Sequence, residues 1–176
     1  MTIKRYLLVA AFILLAYCNA LAGGVGTWKN YLAYSDVQWV EEGGNKLYVL
    51  ASNSLYTYNK NDQSIKAYDK VNGLSDSDIR FIAWNKTARR LVIIYSNNNI
   101  DLLDDRGNVT NVPDYYLKTT MADKTVNGID MSGVYCYLST GFGLVKLNVA
   151  KAEISDSYNL SFPVNYSYIE GGYIYA

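Results

Sequence analysis

One phrase of about 25 residues occurs three times in this chain and begins a fourth, and no other feature so narrows the folds open to it. It reads Val37-Gln38-Trp39-Val40, then Leu47-Tyr48-Val49-Leu50-Ala51-Ser52, then Leu55-Tyr56-Thr57-Tyr58. It returns as Ile79-Arg80-Phe81-Ile82, Leu91-Val92-Ile93-Ile94-Tyr95-Ser96 and Ile100-Asp101-Leu102-Leu103. The third copy is Val126-Asn127-Gly128-Ile129, Val134-Tyr135-Cys136-Tyr137-Leu138-Ser139 and Leu144-Val145-Lys146-Leu147. Measured on the serines that close the second run, Ser52, Ser96 and Ser139, the spacing is 44 and then 43 residues. A period in the low forties carried by short strands is the signature of β-propeller blades. Residues 168–176 restart the phrase, and the chain stops within it.

The repeats resolve into strands separated by turn residues. Strands are predicted at about 36–41, 46–52, 54–59 and 64–69, then 78–84, 90–96, 99–104 and 108–112, then 126–131, 133–140, 142–148 and 153–158. Gly and Asn in the intervening turns supply the positive φ that tight hairpins need. After residue 22 nothing keeps a 3.6-residue period. The second strand of each repeat is apolar on both faces, as expected of a strand sandwiched between neighbouring blades. The fourth is more polar, as suits an outer edge guarded by charge. A β-sandwich also has short strands, but it does not require one phrase every 43 or 44 residues. The expected fold is therefore all-β: a partial β-propeller of three four-stranded blades, about 36–70, 78–112 and 126–160, with the start of a fourth at 165–176. Residues 27–34 precede the first repeat, lack its phrase, and are expected to supply the outer strand of a closing blade. A segment ending at Ala176 is expected to leave two apolar sheet faces open and to aggregate.

The first 22 residues have the three parts of an export signal. Lys4 and Arg5 are followed by a twelve-residue apolar stretch, Tyr6 to Tyr17, and by the small-x-small run Ala20-Leu21-Ala22. The apolar stretch is short of the roughly 20 residues that span a bilayer as a helix. A signal peptide 1–22 is expected, with residues 23–176 as the mature propeller segment. Cys18 would leave with the leader; Tyr17 is too large for the position before a lipoprotein cysteine. Cys136 then has no partner for a disulfide, and its strand setting reads as core.

Composition excludes several classes of function. Lys plus Arg number 16 and Asp plus Glu 16; without the leader the chain carries 14 basic against 16 acidic residues. That balance offers no electrostatic footprint for nucleic acid or an anionic membrane. There is no histidine, which removes Ser-His-Asp and Cys-His catalysis and the commonest transition-metal ligand. Asp101, Asp104 and Asp105 with Asn97 to Asn99 form the densest carboxylate group, but the spacing is not that of a calcium loop and no closing glutamate follows; a solvated hairpin is expected. Gly141-Phe142-Gly143 is a strand turn and not a phosphate loop, since no helix follows it. Asn85, Asn108, Asn159 and Asn165 head N-glycosylation patterns that read as turn chemistry. The connectors 70–77 and 113–125 are expected to line one mouth of the ring, where propellers usually bind. Exposed tyrosines near them offer faces for stacking on sugars, but 18 tyrosines nominate no single one. No catalytic, cofactor-binding or metal-binding residue is nominated.

Several segments resemble the N-terminal propeller of the PorZ-type accessory proteins of type IX secretion in Bacteroidetes. They are Trp28-Lys29-Asn30-Tyr31, Asn72-Gly73-Leu74-Ser75-Asp76, Leu91-Val92-Ile93-Ile94-Tyr95 with Asn99-Ile100-Asp101-Leu102-Leu103, Asp123-Lys124-Thr125-Val126-Asn127, and Tyr137-Leu138-Ser139-Thr140-Gly141-Phe142-Gly143-Leu144-Val145. The Tyr-Leu-Ser-Thr-Gly-Phe-Gly run and the Asn-Ile-Asp-Leu-Leu run are the more specific; Asn-Gly-Leu-Ser-Asp is shared with regulator propellers generally. The resemblance implies an exported, non-catalytic binding and scaffold module, passing through the periplasm to the outer membrane surface. It implies as partners the sortase complex and anionic lipopolysaccharide, and in a full-length relative a second propeller and a C-terminal sorting domain. The alternative is the periplasmic ligand-sensing propeller of a hybrid two-component regulator; a propeller lyase or glycosidase is a third reading.

Overall fold

The computed structural model describes residues 35–176; the expected leader and the expected closing strand at 27–34 lie outside them. Three four-stranded antiparallel sheets follow one another along the chain. The first is β1 (Val37–Gly43), β2 (Lys46–Ala51), β3 (Ser54–Asn59) and β4 (Ile65–Tyr68). The second is β5 (Ile79–Asn85), β6 (Arg90–Tyr95), β7 (Ile100–Asp104) and β8 (Val109–Asn111). The third is β9 (Val126–Ser132), β10 (Tyr135–Thr140), β11 (Gly143–Asn148) and β12 (Glu153–Asn159). A two-stranded hairpin, β13 (Tyr168–Glu170) with β14 (Tyr173–Tyr175), begins a fourth. Within each sheet the strands pair in chain order, and the first strands β1, β5, β9 and β13 neighbour one another in turn. Radial sheets with their first strands innermost are propeller blades.

Alternation along the second strand of the middle blade divides the core in two. Leu91, Ile93 and Tyr95 face the first blade and pack with Tyr48, Leu50, Leu55 and Tyr68. Val92 and Ile94 face the third and pack with Val126, Cys136, Leu138 and Val145. Residues one apart therefore serve different interfaces, which is why β6 is apolar throughout: both of its faces are dry. Outer strands β4, β8 and β12 carry most of the exposed polar positions, as expected.

Register corrects the serine ruler. Ala51, Tyr95 and Thr140 are the equivalent strand ends, paired with Val37, Ile79 and Val126 on the inner strands. Ser52 and Ser96 lie beyond these ends in the turns, whereas Ser139 is a buried strand residue. The hairpin of the third blade closes directly between Thr140 and Gly143, so the structural position of Ser52 and Ser96 is held there by Gly141. Chemically identical residues thus stand one position apart in the three blades, and on a strand a slip of one changes the face.

The same register exposes a repeated tie between blades. Lys46 and Arg90 begin β2 and β6 at equivalent positions. Lys46 Nζ donates to the Asp105 carbonyl (2.7 Å) and Arg90 Nη1 to the Val149 carbonyl (3.1 Å), each in the outer hairpin turn of the following blade. In the third blade Tyr135 takes this position.

Candidate functional site

The connectors between blades share one end of the arc with the β2–β3, β6–β7 and β10–β11 turns. The first connector opens with Asp69, whose carboxylate accepts from the Asn72 N–H (2.8 Å) and caps a single 3-10 turn, Lys70–Asn72. Gly73 follows at φ +108°, a left-handed conformation that suits glycine. The reversal drives Leu74 into the core between the first two blades. Ser75 N–H then donates to Asp101 (2.7 Å), Asp76 accepts from Asn97 Nδ2, and Asp78 accepts from Asn53 Nδ2 (2.5 Å). One short run is thereby stitched to turns of two blades. Burial opposes the charge of Asp76, yet the hydrogen bonds from Asn97 and Ser77 and the Lys70 ammonium outweigh it and hold its carboxyl below the ordinary 3.8.

Asp101 corrects the expectation of a solvated carboxylate hairpin. It is fully buried and accepts from Tyr95 Oη (2.6 Å), Ser75 N (2.7 Å) and Asn111 Nδ2 (2.8 Å). Asp104 and Asp105 belong to the turn at the opposite end of β7. Asp104 accepts from the N–H groups of Arg106 and Asn108 and from Asn108 Nδ2; Asp105 pairs with Arg89 at 2.5 Å. The three acids thus separate into a buried anchor and two turn residues. Among the described residues no group of three or more acids or cysteines is arranged to hold a metal ion.

Asn85, Asn108 and Asn159 act in turns: Asn85 Oδ1 accepts from Ala88 N–H, and Asn159 Oδ1 from Ser161 N–H. Cys136 is fully buried, and burial pushes its thiol far above the ordinary range, so the core reading of this residue matches its setting.

The second connector contains one helical turn, α1 (Asp114–Leu117), in a stretch where the sequence shows no helical period. A single turn is too short to display a helical period. Lys124 holds it, its Nζ donating to the carbonyls of Tyr115 (3.0 Å), Tyr116 (2.9 Å) and Lys118 (2.9 Å). Tyr115 Oη returns a bond to the Lys124 carbonyl (2.6 Å). Beneath this loop lies a small cavity of about 190 Å³ bounded by Tyr115, Phe142 and Ile154.

Two larger cavities lie between the first and second blades, one at each end. At the end away from the connectors, a cavity of about 790 Å³ has Trp84 at its base and Glu41, Glu42, Lys46, Lys86, Arg89 and Asp105 around it. Glu42 pairs with Lys60 and Asp105 with Arg89, so these charges largely satisfy one another. Trp84 stacks on Tyr48 with ring centroids 5.2 Å apart. The Tyr48 hydroxyl is buried without a hydrogen-bond partner, and burial pushes its ionisation far above 10. A Cβ at Gly43 would lie 2.7 Å from both rings, so only glycine admits this stack.

At the connector end the cavity is smaller, about 270 Å³, and more apolar: Leu50, Ile79 and Ile82 form its floor, with Trp39, Phe81 and Arg80 at its rim. A bulge in each inner strand shapes this level. Gln38, Arg80 and Asn127 are the unpaired residues between Val37 and Trp39, Ile79 and Phe81, and Val126 and Gly128. The sequence shows a polar residue at the second position of all three phrases. Its meaning as a bulge needed the register.

Four-stranded radial blades with connectors laced to one mouth define a propeller module. A family profile described as the N-terminal β-propeller domain of the type IX secretion protein PorZ matches residues 47–176. The chain belongs to that family. PorZ of Porphyromonas gingivalis, a bacterial surface component of the type IX secretion system, superposes with a TM-score of 0.70 at 37% identity, over 76% of this chain and 18% of that one. The extracellular domain of the one-component system BT4673 of B. thetaiotaomicron superposes at 0.61 with 17% identity, over 85% of this chain and 20% of its own. AztD of Citrobacter koseri gives 0.52 at 16% identity, covering 73% and 35%. The last two likenesses show the fold alone. This chain thus spans about a fifth of the length of the first two of these structures. No curated protein sequence matches the chain. Among the described residues no helix is long and apolar enough to cross a membrane.

Proposed function

We propose that this chain is the exported N-terminal propeller of a type IX secretion accessory protein, acting by binding and scaffolding without catalysing a reaction. In this reading residues 1–22 are a signal peptide and residues 23–176 the propeller segment, delivered through the periplasm to the outer membrane surface. There it assists the sortase complex by recognising anionic lipopolysaccharide or partner proteins. The observation that carries the reading is the family match over residues 47–176 together with 37% identity to PorZ at a TM-score of 0.70. The absence of histidine from the sequence and the inert setting of Cys136 agree with a module that performs no chemistry.

The test is genetic. Deleting the gene in its host should leave secreted cargo unattached to the surface, and restoring the complete reading frame should return attachment. Unchanged cargo attachment after deletion would sink the proposal. The coding sequence beyond residue 176 separates it from the regulator alternative: a second propeller and sorting domain fit secretion, a transmembrane helix and kinase fit sensing.

A further inference from the structure

The larger cavity between the first two blades, at the end away from the connectors, is rich in unspent donors and poor in acceptors. Its acids are committed. Glu41 accepts from the Trp39 indole N–H (2.7 Å) and from the Trp84 backbone N–H (3.1 Å), Glu42 pairs with Lys60, and Asp105 pairs with Arg89. Its lysines are not. Lys46 Nζ donates to a neutral acceptor, the Asp105 carbonyl (2.7 Å), and has no carboxylate partner among the described residues. Lys86 is exposed and makes no hydrogen bond or ion pair with another described residue. Glu42 is held low mainly by its bond to Lys60 and also feels the charge of Lys86, so this ammonium lies toward the Glu42 wall. Lys46 and Arg89 stand at the opposite side, both around Asp105.

Trp84, at the base, narrows the class of ligand. Its side chain stacks on Tyr48 and the residue is only 9% exposed, so no open ring face is offered to a sugar. Its indole N–H donates to no described residue. Tyr48 Oη is the single buried side-chain polar atom left without a partner among the described residues, so the Trp84 nitrogen is not sealed off, and the solvent that Trp84 borders is this cavity. The unspent groups are thus two ammoniums, the remaining N–H groups of Arg89 and one indole N–H, a set that calls for negatively charged oxygens.

We propose that this cavity binds an acidic segment of a partner polypeptide, one carboxylate taken by Lys86 and a second by Lys46 and Arg89. At about 790 Å³ it lies within the range of ligand sites and exceeds a single side chain, which suits two neighbouring acidic residues. Carboxylates are favoured over phosphate by charge. Glu41, Glu42 and Asp105 share the walls with the cations, and a doubly charged phosphate would meet about twice the repulsion from them that a singly charged carboxylate does. Binding of this kind is read without secretion, so its failure would leave the secretion reading standing.

The test is a saturation-transfer NMR titration of the full chain at low micromolar concentration with millimolar acetyl-Asp-Glu-Glu-Asp-carboxamide. The uncharged analogue acetyl-Asn-Gln-Gln-Asn-carboxamide and tri-galacturonate are the comparisons. The acidic peptide is expected to bind and the uncharged analogue to bind weaker by roughly tenfold or more, the scale of two charge-assisted contacts. Lys86→Gln should weaken the acidic peptide by roughly threefold to fivefold, as for one exposed charge pair, and Lys86→Glu should weaken it further. Arg106 is an exposed cation of the same outer turn but does not line the cavity, so Arg106→Gln should leave binding unchanged. Circular dichroism of each variant checks that the sheets are intact; both residues are exposed, so their replacement leaves the core untouched. Absence of binding by the acidic peptide, equal binding of its uncharged analogue, no loss in Lys86→Gln, an equal loss in Arg106→Gln, or tighter binding of tri-galacturonate would each overturn the assignment.

Discussion

At the scale of single residues, Asp101 shows how one side chain secures a whole connector. Its carboxylate is removed from water and accepts from Tyr95 Oη, Ser75 N and Asn111 Nδ2, so a hairpin, an outer strand and the connector meet at two oxygens. Asp101→Ala would strand all three donors in a dry site, and the expected loss is about 3 kcal/mol of unfolding free energy in urea titrations. Asp101→Asn keeps the shape and should cost less. The exposed turn acids act differently, through charge. Asp104 is opposed by burial but hydrogen-bonded by Asn108, Arg106 and Gly107, and Asp78 is bonded by Asn53 and Ser96; both stay below the ordinary 3.8. Carboxyls lowered in the fold stabilise it fully above their unfolded value, and that stabilisation disappears as pH falls through the folded value. Urea midpoints should be flat from pH 7 to about 5 and decline once pH drops below roughly 4. A midpoint unchanged between pH 5 and pH 2.5 would remove these acids from the account.

At the scale of elements, the blades are joined by side chains reaching from the start of one second strand to the outer turn of the next blade. Arg90 to the Val149 carbonyl repeats what Lys46 does to the Asp105 carbonyl. Replacing Arg90 with Met keeps the stem and deletes the donor, and the expected cost is about 1.5 kcal/mol. The readout is a lower melting temperature with native circular dichroism. The helical turn α1 rests on Lys124 in the same way, with three carbonyls on one ammonium. Lys124→Met should raise hydrogen exchange of residues 114–124 and lower the melting temperature modestly, since Lys124 bonds only carbonyls of its own loop while Tyr115 of that loop is buried in the core between the second and third blades.

At the scale of the molecule, the two blade interfaces are complete and the flanking faces are not covered by a further described blade. On β1, Val37 and Val40 are about half exposed, and at the other end Tyr166, Tyr168, Tyr173 and Tyr175 are exposed too. Clustered apolar surface of this kind associates. Residues 23–176 purified as a separate polypeptide should form concentration-dependent oligomers in light scattering at tens of micromolar. A monodisperse monomer there would mean that these faces are covered in solution.

The blade pattern was legible because it is periodic and local. β6 is apolar on both faces, β4 and β12 are polar at the edge, and predicted strand bounds lie within one or two residues of most observed ones. Family membership was legible as well, in runs such as Tyr137 to Val145, and one glycine of that run is demanded by the backbone itself: at Gly143, φ +144°, a Cβ would fall 2.1 Å from the Tyr158 carbonyl oxygen. What the sequence could not state was anything that depends on which residue stands opposite which. The slip of Ser139 against Ser52 and Ser96, the burial of Asp101 and the bulges that bring Gln38, Arg80 and Asn127 to one level all follow from register between strands. A linear pattern carries period but not pairing. Three acids within five positions look alike until the tertiary structure puts one in the core and two in a turn, and a polar residue in the second place of a phrase becomes a rim only when three inner strands stand side by side.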